Sequence, residues 1–121
     1  MPPIALSKDK RFCRDTGSRS TLSFYCVDPC VMVDDALIDA MCAESARWDR
    51  RNVRLCLHSS AGAAYHEMVA LERYGHYFPP HKHFDKGETL HIIDGELGVL
   101  GFDDAGNVVF STVLGRNDCL I

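Results

Sequence analysis

Gly75-His-Tyr-Phe-Pro-Pro-His81-Lys-His83-Phe-Asp-Lys-Gly87-Glu88-Thr-Leu-His91-Ile-Ile-Asp94-Gly95 is the stretch on which the fold reading turns. His81 and His83 are two residues apart, so on one extended strand both imidazoles project from the same face. Glu88 is five residues beyond His83, and on that same strand it would point the other way. The chain is therefore expected to bend within Phe84–Gly87 and restart as a neighbouring strand, bringing the carboxylate back to the two rings. Two neutral imidazoles and one carboxylate form a donor set suited to Fe, Mn, Ni or Zn as divalent ions, with coordination positions left open for water or a ligand. The plainer alternative, a histidine-rich surface loop, requires two glycines, two histidines and the glutamate to fall at these offsets by chance. At this composition that chance is about one in ten thousand, so the metal reading is preferred.

Outward from this stretch the periodicity is that of short strands and turns. Val53–Leu57, Met68–Tyr74, Thr89–Ile93, Leu97–Phe102 and Val108–Leu114 read as strands. They are punctuated by Ser-Ser-Ala-Gly, Gly75, Asp94-Gly95, Asp103–Asn107 and Gly115. Asp94-Gly95 is a hairpin signal. Upstream, Leu22–Val27 reads as a strand ended by Asp28-Pro29. Asp34 or Asp35 is placed to cap a helix reaching about Trp48, with Leu37, Met41 and Trp48 gathered on one side. Arg47, Arg50 and Arg51 follow at the carbonyl pole. The expected fold is all-β: an antiparallel sheet rolling toward a barrel, with one accessory helix. Residues 1–20 are expected to be an irregular tail, 21–52 a strand plus helix, and 53–121 a partial barrel.

The chain has 121 residues, enough for one domain. Its 46% hydrophobic and 25% charged residues are ordinary for a globular protein, and a formal charge of −4 gives no reason to expect nucleic acid. No stretch is long and apolar enough to span a membrane. The N-terminal residues lack the apolar run of a secretory signal, so the six cysteines are expected in a reducing, cytoplasmic setting rather than in disulfides. No Cys-x-x-Cys pair occurs, and Cys42, Cys56 and Cys119, among apolar neighbours, read as small buried hydrophobes.

The spacing Gly-x5-His-x-His-x4-Glu-x6-Gly resembles the first motif of the cupin superfamily, with Gly75, His81, His83, Glu88 and Gly95 in every defined place. A broader likeness, from about Ser23 to Gly115, is to the WbuC-family cupin-fold metalloproteins. It rests on the segments beginning Val33-Asp34-Asp35-Ala36, Arg51-Asn52-Val53-Arg54, His66-Glu67-Met68 and Pro79-Pro80-His81. The resemblance implies a double-stranded β-helix, or jelly roll, and one divalent metal on His81, His83 and Glu88. It also implies a bacterial setting in surface-polysaccharide (lipopolysaccharide O-antigen) biosynthesis, with a sugar or other small molecule as ligand. A second cupin motif would supply another histidine, yet no histidine follows His91. Closing strands are accordingly expected from a second copy, in a homodimer, with a poorly stable fragment as the alternative.

Arg54, Cys56 and His58 alternate against Val53, Leu55 and Leu57. If the polar row lines the cup, Arg54 and His58 would orient an anionic or hydroxyl-rich ligand; if it faces solvent, it is an outer edge. The resemblance favours the cup. His91, three residues from Glu88, falls on the opposite face and reads as a surface residue. His66 and His76 carry no spacing signal. No residue is nominated as catalytic, so a metal-dependent enzyme and a non-catalytic binding or dimerisation module both stand.

Overall fold

The computed structural model of the protein describes residues 4–17 and 20–121. The chain divides into two compact units, the first extending to His76 and the second running Tyr77–Ile121.

In the first unit a 3-10 turn (Leu6–Lys8) precedes β1 (Phe12–Asp15), β2 (Leu22–Cys26), α1 (Asp35–Arg47), β3 (Val53–Cys56) and β4 (Met68–Leu71). They form a four-stranded sheet in the order β1-β2-β3-β4. The turn and β1 lie inside the stretch expected to be irregular. Phe12 explains the difference, because a single buried aromatic anchors a strand too short to show a period. The outer pairs are antiparallel, but β2 and β3 run parallel, with Leu22 opposite Val53 and Phe24 opposite Leu55. The expectation of a wholly antiparallel sheet is thus corrected. A helix between two strands carries the chain back to the end at which it started, which permits parallel pairing.

The core follows from two periods. Leu22, Phe24, Cys26, Val53 and Leu55 recur every second residue and are buried, and Leu37, Ala40 and Met41 recur at helical spacing and pack over them. Full burial of each large side chain stabilises by about 1.5–3 kcal/mol. Asp34 caps α1, its carboxylate accepting from the Leu37 amide at 3.0 Å. At the other end, Trp48 and Arg50 both donate backbone N–H to the Ser45 carbonyl, and the chain leaves through Asp49 and Arg50 at φ 53° and 57°. Trp48 does not join the buried stripe. It is 48% exposed, and its indole N–H donates to Glu44, whose carboxylate is 2% exposed and also pairs with Arg47.

The second unit contains β5 (Leu90–His91), β6 (Leu97–Phe102), β7 (Val108–Leu114) and β8 (Cys119–Leu120). β6 and β7 form an antiparallel hairpin at the expected bounds, and β5 pairs with β8. Asp103 builds the hairpin turn by accepting from the amides of Ala105 and Asn107, and Gly106 supplies φ +87°. Gly95 likewise adopts φ +83°, as the Asp94-Gly95 signal requires. The strands on either side of it nevertheless pair elsewhere, so no hairpin forms there.

The protein is therefore strand-rich with one helix, as expected, and its described strands fall into three separate sheets rather than a closed barrel. Among the described residues no helix is long and apolar enough to cross a membrane.

Candidate metal centre

His81 and His83 are not on a strand. The chain from Gly75 to Thr89 is irregular apart from turns and bends, and β5 begins only at Leu90. Pro79 and Pro80 account for this, because neither can donate to a ladder, and the residue preceding each is steered away from helical geometry. The expected bend does occur, at Phe84–Asp85.

The bend brings His83 and Glu88 together. Nε2 of His83 stands 4.0 Å from Oε2 of Glu88, too long for a hydrogen bond and within ion-pair range. The His81 ring meets the His83 ring edge-on, with centroids 5.0 Å apart. Nδ1 of His81 lies 3.2 Å from the Pro79 carbonyl, which can only accept; the tautomer with its proton on Nδ1 would donate there and leave the Nε2 lone pair for a ligand role. A backbone carbonyl fixing a ligating ring in this way is a common outer-shell arrangement. Lys82, between the two histidines, turns away, with Nζ 3.3 Å from Asp104 and 5.5 Å from the centre of the Phe84 ring.

The donor chemistry suits a divalent ion, but the three side chains do not converge as a complete ligand set. Among the described residues no three His, Cys, Asp or Glu side chains stand close enough to hold a metal. The His83 and Glu88 side chains are 51% and 59% exposed, so this is an open surface cluster rather than a dry pocket. His91 is exposed on β5, opposite Cys119.

Arg54 and His58 belong to the first unit and the three donors to the second. Val53 and Leu55 are buried against the helix side, so Arg54 and Cys56 occupy the opposite face of the sheet. Arg54 Nε donates to Ser23 Oγ at 3.4 Å, and Cys56 Sγ is 4.0 Å from the same hydroxyl. Burial pushes the Cys56 thiol up. Among the described residues all six cysteines are free thiols; Cys56 is buried and Cys42 half-buried, while Cys119 is exposed instead of buried. His66, which carries no spacing signal, stacks its ring on His58 at 4.1 Å. Seven residues of loop and turn separate the two, and no periodic signal spans such a distance.

Residues 33–114 match a family described as a domain of unknown function, DUF6016, and the chain belongs to that family. The match spans α1 through β7 and includes His81, His83, Glu88, Arg54 and His58. No curated protein and no solved structure matches the chain.

Proposed function

We propose that this is a divalent-metal-binding protein whose ion is held by His81, His83 and Glu88, built on a cupin-like jelly roll of the WbuC type. The observation that carries the reading is the approach of His83 to Glu88 at 4.0 Å across the Phe84–Asp85 bend, with His81 edge-on beside them. His81 and His83 would bind as neutral imidazoles, and Glu88 would offset one unit of positive charge. A bound ion of this class polarises a carbonyl or activates water. The half-exposed donors leave such a site accessible to a small polar ligand. Arg54, in the first unit, separately supplies positive charge for an anionic or hydroxyl-rich ligand. A sugar in bacterial surface-polysaccharide biosynthesis is the ligand proposed from the family resemblance, and the free thiols support a reducing cytoplasmic setting.

Calorimetric titration of the purified protein with Zn, Mn and Ni salts, and with Fe(II) under anaerobic conditions, tests the reading. One-to-one binding of at least one ion is expected, and no binding of any would overturn it.

A specific observation favours a second reading, that of a non-catalytic module assembling as a homodimer. On one face of the β6–β7 hairpin, Leu100, Phe102, Val108 and Val113 are 59%, 41%, 55% and 66% exposed. An apolar sheet face of this kind is unfavourable in water, and a second copy would cover it.

A further inference from the structure

Arg54 and Glu72 carry opposite charges on the open face of the four-stranded sheet and do not pair with each other. In the sheet register Ser23, Arg54 and Ala70 lie side by side on β2, β3 and β4. Glu72, two residues beyond Ala70, falls on the same face and stands diagonal to Arg54, a relation that sets the two backbones about 7–8 Å apart. Arg54 is a charged neighbour of the Glu72 carboxyl, yet among the described residues no carboxylate comes within ion-pair range of the guanidinium.

Both groups are held in place with bonding capacity left over. Arg54 Nε donates to the buried Ser23 Oγ at 3.4 Å, a long bond that steers the head without using up its five donors. Glu72 Oε2 accepts from Asn52 Nδ2 at 2.5 Å, and Oε1 has no hydrogen-bond partner among the described residues. Desolvation raises the proton affinity of this carboxyl, a cost that a cationic partner would offset. Ala70 brings only a methyl to the gap, and Met68, Ala70 and Glu72 are all exposed, so a ligand can enter from the β4 side.

We propose that this face binds a small amino acid as its zwitterion, with the carboxylate on Arg54 and the ammonium on Oε1 of Glu72. A guanidinium meets a carboxylate through two parallel N–H donors, and charge-assisted bonds are about twice as strong as neutral ones. A simple anion satisfies Arg54 and is repelled by Glu72; a neutral polyol compensates neither charge. The other charged groups nearby are His76, which adjoins Glu72, and Asp15, which ends the row on β1 with the width of β2 between it and Arg54. The site narrows the anionic ligand class given to Arg54 above. It contains none of His81, His83 and Glu88, so it stands or falls apart from the metal.

Chemical-shift titration of the isotope-labelled full chain at pH 7, with no metal added, tests the site with alanine, lactate and propionate. The three share a carbon skeleton and differ in carrying an ammonium, a hydroxyl or neither. Alanine should shift the Arg54 Nε–H and the Ala70 amide saturably and bind at least tenfold more tightly than lactate or propionate. Glu72→Gln has a single carbonyl, taken by Asn52, and should weaken alanine at least tenfold and erase its advantage. Arg54→Gln should weaken alanine by at least as much, with folding of both variants read from the same spectra. No saturable shift with alanine, lactate or propionate binding as tightly as alanine, or unchanged alanine affinity in either folded variant would overturn the proposal.

Discussion

Asn52 Nδ2 donates to Glu72 Oε2 at 2.5 Å, joining the residue before β3 to the residue after β4. Asn52 is 5% exposed and makes two further connections: its side-chain carbonyl accepts from the Arg73 amide at 2.8 Å, and its backbone carbonyl accepts from the Leu22 amide at 2.8 Å. Arg73 in turn reaches the helix, its Nε donating to Ser45 Oγ on α1 at 2.8 Å. Asn52 and Arg73 together tie the corner where β2, β3, β4 and the helix meet.

Asn52→Ala removes both side-chain bonds and leaves the Arg73 amide without that acceptor. A loss of about 2–3 kcal/mol in unfolding free energy is expected. Denaturant titration checks it, and a change under 0.5 kcal/mol would show that water replaces the amide.

Glu72 is exposed as a residue, but its carboxyl lies against Asn52, and desolvation there raises its proton affinity above the ordinary carboxylate value of 4.5. The folded chain therefore holds this proton more tightly than the unfolded chain. In the window above 4.5, stability contributed by this group falls as the pH rises and returns as the pH falls. Glu72→Gln keeps an acceptor for Asn52 and removes the charge. The variant is expected to equal or exceed wild type at pH 7, with the difference shrinking toward pH 4; unfolding curves at the two pH values measure it.

Arg50 sits at φ 57° just beyond the end of α1, a conformation costly for a residue with a Cβ. Arg50→Gly relieves that cost while loosening the unfolded chain, for a net gain of about 0.5–1 kcal/mol. Thermal melting should shift upward by a few degrees.

Local structure was largely legible in the sequence, and longer-range pairing was not. Asp34 capping α1, β6 and β7 at their full lengths, and the bend after His83 follow from side-chain preferences within a few residues. Three features depend on partners distant in the chain: parallel pairing of β2 with β3, the choice of β8 over β6 as the partner of β5, and the anchoring of β1 by Phe12. At the candidate site, the motif spacing anticipated the proximity of His83 and Glu88. Both histidines lie off any strand, because Pro79 and Pro80 cannot donate to a ladder.

The exposed face of the β6–β7 hairpin makes a separate prediction. Leu100→Lys and Val113→Lys place charge on that face without touching the buried Leu114. If a second copy covers it, wild type should sediment as a dimer and both variants as monomers; a monomeric wild type would remove the dimer reading and leave the metal proposal intact.

Elemental analysis of wild type, His81→Ala and Glu88→Ala, each purified without chelator and checked for folding by circular dichroism, tests the metal assignment most directly. Near one equivalent of a divalent transition metal in wild type and at least a tenfold loss in each variant is the predicted result. Equal, near-stoichiometric metal in all three would contradict it.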